Sequence, residues 1–305
     1  MSGPLILPKL AVESTRGSTL VLPSVGAEDG RKLPAVLIVH GFQGKKEFHI
    51  GTAERLADAG FACLCIDLLP LMSLNLKRRI ELRAANVIHI LAEWNRLAAH
   101  PRVDAANMCL AGHSAGGALA IESVCSMIET KQGKLPRALL LLDAVPWLST
   151  LKRLDKYAKY FIAPLPGNVR GDHPADVVVV ASFRGTPGRW NANGLVLEAL
   201  ARGFTGPCSD VRILHAGHGD FMYPAGGRFG CFMGFVLKLA GLTSSTRIQD
   251  DIEDLVVAFV ESAVGGKLPE AFGNMASKLN KDIAINMVTS DSVKDMRSNL
   301  PSFLQ

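Results

Sequence analysis

Charge is scarce in this 305-residue chain: 20% of its residues are Asp, Glu, Lys or Arg, against 48% that are apolar. The net charge of +5 is scattered, with no Lys/Arg block and no aromatic–basic stripe, which argues against a nucleic-acid partner. Despite the apolar excess, no uncharged apolar run reaches the roughly 18 residues of a membrane span. The six cysteines (Cys63, Cys65, Cys109, Cys125, Cys208 and Cys231) include no C-x-x-C pair. Four of them fall in segments expected to be buried, the pattern of reduced core thiols in an intracellular protein. No H-x-x-x-H or His/Cys/carboxylate cluster has metal-ligand spacing, and Lys45 is misplaced for Gly41 and Gly44 to form a phosphate-binding loop. No metal or other cofactor is expected. Residues 1–10 lack a basic stretch followed by a long apolar one, so secretion is disfavoured and a cytoplasmic or plastid location is expected. The acid-poor residues 1–20 carry only a weak transit-peptide signal.

What the chain does have is a regular alternation of apolar runs and amphipathic stretches. Ser18 to Pro23 predicts a short strand, and Ala35-Val36-Leu37-Ile38-Val39 a strand buried on both faces. A helix over 52–59 should end at Gly60, followed by a strand from Phe61 to Ile66 and a long amphipathic helix over 77–98. Strands are expected over 107–111, 138–142, 177–182 and 211–215, with helices over 115–130, 195–203 and 250–264. Such alternation predicts an α/β fold, a mainly parallel, doubly wound sheet. Residues 1–266 form one domain in this reading. Within it, 144–176 is a proline-containing excursion whose residues Trp147, Leu148, Leu151, Leu154, Tyr157, Tyr160 and Phe161 either pack onto the body of the domain, as most such stripes do, or form a lid. Residues 267–305 form a C-terminal extension, partly helical or loosely packed. The apolar stretch 229–237 is read as a core helix, with a wall of the substrate cleft or a membrane-touching patch as the alternative.

Gly112-His113-Ser114-Ala115-Gly116 stands between an apolar strand and a helix-like run. In that context G-x-S-x-G forms a nucleophile elbow, a sharp strand-to-helix turn that lifts the serine above the sheet edge. Ligands of such sheets meet the carboxyl ends of strands. The polar residues expected there are His40, Asp67, Ser114, Asp143 and His218. A serine nucleophile needs a base, and the base needs an acid to fix its tautomer. His218, in a glycine-flanked loop, is the base. Asp143, ending a run of four leucines, is the acid, because a carboxylate there is costly unless paired. The following strand ends in Phe183-Arg184-Gly185 and offers no carboxylate. Asp67 is read as a structural cap, Asp220 as too close in sequence to His218, and His113 as orienting at most. His49, His89, His100 and His173 are expected to lack partners. The backbone amides of Phe42 and Ala115 are the expected oxyanion donors. Gln43, Trp147, Phe221 and Met222 are candidate substrate contacts. The order Ser114…Asp143…His218 is that of α/β-hydrolases.

With these residues in place the chain resembles the chlorophyllase family of α/β-hydrolases, related to polyester-hydrolase and dienelactone-hydrolase-like enzymes. The resemblance rests on Val36-Leu37-Ile38-Val39-His40-Gly41-Phe42, Leu110-Ala111-Gly112-His113-Ser114-Ala115-Gly116-Gly117 and Leu141-Leu142-Asp143-Ala144-Val145. It continues at Gly217-His218-Gly219-Asp220-Phe221-Met222 and in 254–260, and spans roughly residues 30–265. It implies the α/β-hydrolase fold, an acid directly after the strand that follows the nucleophile helix, and hydrolysis of the phytyl ester of chlorophyll. Plant members usually carry Arg where Ala115 stands, a departure that bears on the pigment more than on the hydrolase mechanism. Other lipophilic esters are the second substrate class, and a peripheral membrane contact would suit either. An alternative of another class is a non-catalytic hydrolase-fold module that binds a lipophilic ligand. The intact Ser/Asp/His set argues against it.

Overall fold

The uninterrupted apolar runs become the central strands of a sheet covered on both faces. The structure is a computed structural model and describes residues 10–15, 17–23, 30–70, 74–131, 133–162, 178–185, 208–213, 216–222, 246–265 and 283–288. Its strands are β1 (Ala11–Ser14), β2 (Ser18–Leu22), β3 (Leu33–Val39), β4 (Ala62–Ile66), β5 (Val103–His113), β6 (Ala138–Leu142), β7 (Phe161–Ile162), β8 (Val178–Arg184), β9 (Cys208–Ile213) and β10 (Ile283–Val288). They form one sheet in the order β1-β2-β4-β3-β5-β6-β8-β9-β10, with β7 paired to the start of β8. Strands β4, β3, β5, β6, β8 and β9 run parallel. The edges β1, β2 and β10 are antiparallel to their neighbours.

The described helices are α1 (Ile50–Asp58), α2 (Leu76–Ala98), α3 (Ala115–Thr130), α4 (Leu148–Lys156) and α5 (Thr246–Gly265). Side chains alternate between two cores, as the two-residue period of a strand requires. On β3, Ala35, Leu37 and Val39 face one core together with Ile90, Trp94 and Leu97 of α2 and Leu119 and Val124 of α3. Val36 and Ile38 face the other, with Ala53 and Leu56 of α1. Helix α5 meets that second core through Ile252, Leu255, Val256, Phe259, Val260 and Ala263, a spacing that places one stripe on one face. Phe259 meets Phe183 of β8 edge-on at 5.8 Å. Covering both faces explains why the strands lack hydrophobic–polar alternation.

Local signals end the helices where expected. Gly60 takes φ +95 after α1, and Phe61 N–H donates to Leu56 O at 3.0 Å, closing the helix with a left-handed cap. The Asn75 side chain accepts from Arg78 N–H at 3.2 Å and caps α2. Cys63, Cys65, Cys109 and Cys125 are buried free thiols. No described helix is long and apolar enough to cross a membrane.

One expectation is corrected and one choice between two readings is decided. The sheet does not end before residue 267: residues 283–288, expected in a helical or loose extension, form β10, which pairs antiparallel with β9 from Ile283↔Ile213 to Val288↔Cys208. The described part of the 144–176 excursion packs on the body of the domain and forms no lid. Thr150 Oγ1 donates to Glu122 of α3 at 2.6 Å, Leu154 is buried, and Phe161 is buried where β7 pairs with β8. The helix expected near 195–203, the apolar stretch 229–237, and His173 and His215 lie outside the described residues.

Candidate active site

Strand β5 passes into α3 through a single residue, Ser114, and that residue absorbs the whole change of direction. It takes φ +53 and ψ −123, a conformation costly for a residue with a Cβ. Its N–H donates to Leu142 O at 3.0 Å, and its own carbonyl accepts from both Gly117 N–H and Val145 N–H, each at 3.0 Å. These bonds tie the turn to the end of β6 and hold the strain in place.

The surrounding glycines are required by space. A Cβ on Gly112 would lie 2.5 Å from Gly116 O, and one on Gly116 would lie 2.3 Å from His40 O. One on Gly117 would lie 2.5 Å from Ala144 Cβ. The first turn of α3 thus presses against the ends of β3, β5 and the segment after β6, a closeness no other residue type permits. Ala115 opens α3, so its amide is among those with no acceptor inside the helix.

Asp143 directly follows β6 and is fully buried, with φ +44. Its N–H donates to Phe183 O at 2.7 Å, and its Oδ1 accepts from Gly185 N–H at 3.3 Å. The end of β8, which has no carboxylate, supplies an amide to the carboxylate on β6. Asp143 Oδ2 pairs with Nδ1 of His218, whose side chain is 24% exposed. Among the described residues no hydrogen bond joins His218 to the Ser114 hydroxyl, so the Asp143–His218 contact is formed and a His218–Ser114 contact is not.

The loop bearing His218 is pinned at several points. Asp220 is fully buried, and its Oδ2 accepts from Gly217 N–H at 2.6 Å. A Cβ on Gly185 would lie 2.4 Å from Ala216 O, so the end of β8 touches the backbone entering the loop. Phe221 is 1% exposed within the core, and Met222 is also buried. Both were expected to contact substrate; Phe221 is instead packed in the core, and Met222 is buried beside it in sequence. Trp147 packs on the core with the Arg83 guanidinium 3.9 Å above its ring, and Arg83 also donates to buried Glu122 at 2.6 Å.

Phe42 lies in the turn after β3, closed by Gly44 N–H to Gly41 O at 3.1 Å, with Gln43 exposed at φ +54. A Cβ on Gly41 would lie 2.8 Å from Ser114 Cβ, so this turn runs directly beside the serine. His40 anchors it: Nδ1–H donates to Gly41 O at 2.7 Å, and Nε2 accepts from Leu68 N–H at 2.9 Å. Asp67 caps the helical turn at Lys46–His49, its Oδ1 accepting from Lys46 N–H at 2.8 Å. His89 and His100, expected to stand alone, each have a backbone partner: Nε2 of His89 donates to Asp67 O at 3.0 Å, and Nδ1 of His100 accepts from Arg102 N–H at 3.3 Å.

Sequence reasoning missed a pair of buried histidine rings packed against each other behind the serine turn. His49 is buried, neither ring nitrogen has a partner among the described residues, and burial pushes its pKa down to about 3. Its ring lies 5.5 Å from that of His113, which is also buried and held well below the usual histidine pKa, chiefly by desolvation. The presence of His113 inside the G-x-S-x-G motif was the only signal for this pair. Among the described residues no group of three or more His, Cys, Asp or Glu side chains could hold a metal.

A mainly parallel sheet wound by helices on both faces, with a serine at a one-residue strand-to-helix turn, is the α/β-hydrolase fold. Residues 23–132 match the model of the dienelactone hydrolase family. The matched segment contains β3 through α3, and with them Ser114 and the turn at Phe42, and stops short of Asp143 and His218. It supports hydrolase chemistry for this fold. The chain matches none of the curated proteins.

Proposed function

We propose that the protein is a serine carboxylic-ester hydrolase working through an acyl-enzyme on Ser114, with lipophilic esters as substrates. The pairing of buried Asp143 with His218 at the strand ends beside Ser114 carries this reading. In the proposed reaction His218 Nε2 removes the Ser114 hydroxyl proton as Oγ attacks the ester carbonyl. Asp143 keeps the other ring proton on Nδ1 and stabilises the imidazolium. The amides of Phe42 and Ala115 receive the developing oxyanion, aided by the positive end of α3. Collapse breaks the C–O bond, and His218 returns its proton to the departing alcohol. Water, deprotonated by the same imidazole, then attacks the acyl carbon and releases the acid and free Ser114.

The substrate class rests on two supports. One is the resemblance to chlorophyllases, which makes the phytyl ester of chlorophyll the first lipophilic ester to test. The other is the set of exposed apolar side chains that follow the ends of β3, β4 and β6, where Phe42, Leu69 and Leu148 are 50%, 44% and 71% exposed. Such side chains suit an apolar acyl or alcohol group, or a lipid surface that carries one. The test is turnover of a short p-nitrophenyl ester and of chlorophyll a in detergent, by the protein and by Ser114→Ala. The reading expects ester turnover that falls by at least about 1,000-fold in the variant. Turnover surviving in Ser114→Ala overturns the serine mechanism. Ester cleavage without release of chlorophyllide removes the pigment and leaves the esterase.

A further inference from the structure

The buried imidazole of His113 is expensive, and only one of its contacts explains why it is there. Its Nε2 lies 3.0 Å from His218 O, and a carbonyl only accepts, so Nε2 carries the proton. Its Nδ1 is a bare lone pair with no partner among the described residues, aimed toward the turn where a Cβ on Gly41 would stand 3.1 Å away. An apolar side chain would fill the same space without leaving a buried acceptor unsatisfied. The two rings lie 4.7 Å apart and are inclined by 35°.

His218 is therefore gripped twice: Asp143 fixes its ring through Nδ1, and His113 fixes its main chain through the carbonyl. The second grip has a consequence the first lacks. His113 is the residue before Ser114, and its backbone is locked in β5 opposite Leu142 of β6. A hydrogen bond from His113 to the His218 backbone ties the base to the residue next to the nucleophile. Asp220 and Phe221 pin the loop beyond His218, and the His113 bond holds the His218 carbonyl itself, between two glycines. We propose that His113 is a positioning residue that sets the distance between His218 and Ser114 through its Nε2–H bond to the His218 carbonyl. This inference rests on the serine-hydrolase reading above.

Three variants test it by the reach of their side chains. His113→Phe keeps a flat ring and removes the donor. His113→Gln carries an amide N–H near the place of Nε2, and His113→Asn carries one near the place of Nδ1. On a p-nitrophenyl ester, kcat should fall about tenfold or more in the Phe variant, the scale of one lost hydrogen bond acting on geometry, with KM within about twofold. Gln should restore most of the loss and Asn should not, a ranking that a merely structural role would not produce. As a readout independent of turnover, the downfield Nδ1–H proton resonance of His218 should remain sharp in Gln and broaden in Phe and Asn. If the Phe variant folds poorly, the Gln/Asn pair decides, since both are polar and differ in reach. Unchanged kcat in Phe and Asn, or Asn matching Gln, overturns the inference while the wild-type esterase reading stands. Absence of esterase activity in the wild type overturns both.

Discussion

Two buried carboxyl groups, Asp143 at the end of β6 and Glu253 on α5, have almost the same burial but opposite surroundings. Asp143 receives the Gly185 amide on one oxygen and the His218 ring on the other. Glu253 receives one hydroxyl, Thr52 Oγ1 at 2.9 Å, and its other oxygen has no partner among the described residues. Desolvation pushes its pKa up to about 8, so the group is held largely protonated at neutral pH. Burial alone makes a carboxylate neutral; burial with donors on both oxygens, one of them an imidazole, makes one able to stabilise a transient positive charge. The contrast separates the proposed catalytic rim of the sheet from the α1–α5 flank, where Glu253 meets only Thr52.

The largest expected effect falls on the rim. Asp143→Asn keeps the size and the capacity for positive φ but cannot hold the Nδ1 proton of His218, and kcat should drop by roughly 1,000- to 10,000-fold with folding retained. Steady-state kinetics alongside circular dichroism would check this; a near-wild-type rate would move the acid elsewhere and erase the contrast. Next comes the crowding behind Ser114. Gly116→Ala places a methyl 2.3 Å from a backbone oxygen, and denaturant melts should show a loss of about 3 kcal/mol or an open elbow.

For the other buried polar groups, Glu253 on the flank and His49 beside His113, the expected effects concern pH. Because the folded pKa of Glu253 is about 8 against an ordinary 4.5, the native state keeps a proton that the unfolded chain has lost between those values. Its contribution to stability is complete below pH 4.5 and is lost as pH rises through about 8. His49, with a folded pKa of about 3 against 6.5, acts the other way: the unfolded chain takes up the proton first, and stability falls as pH drops from 6.5 toward 3. Glu253→Gln should flatten the alkaline limb of a Tm–pH profile, removing a slope of up to about 1.4 kcal/mol per pH unit, and leave the acid limb and esterase activity intact. An unaltered alkaline limb would show that Glu253 is ionised in the fold. The smallest effect is that of Thr52→Val, which removes the donor to Glu253 Oε1 and should cost about 1 kcal/mol in urea melts with no change in kcat.

Much of the rim was legible because its signals are local. The apolar runs mark strands buried on both faces, Gly60 marks the end of α1, and the leucine run ending in Asp143 marks a carboxylate that must be paired. What was not legible depends on distant partners. β10 is a strand because β9, some 70 positions earlier, offers an open edge, and its Ile283, Ile285 and Met287 alternate within a polar tail. α4 is a nine-residue helix held against α3 by Thr150 and Glu122, contacts invisible in its own periodicity. Phe221 looked like a cleft residue from its place beside His218 and is instead a core anchor, since the loop folds inward on Asp220. The burial of Glu253 follows from the packing of α5 against α1, where Thr52 meets it, not from any motif.

The central claim, that Ser114 is the nucleophile activated by the His218–Asp143 pair, is tested most directly by covalent capture. The protein would be treated with a lipophilic fluorophosphonate and its modified peptide identified by mass spectrometry. The account predicts a single adduct on Ser114 Oγ, formed quickly in the wild type, slowly in Asp143→Asn and not at all in Ser114→Ala. Absence of an adduct in the active wild type, or an adduct on another residue, would contradict it.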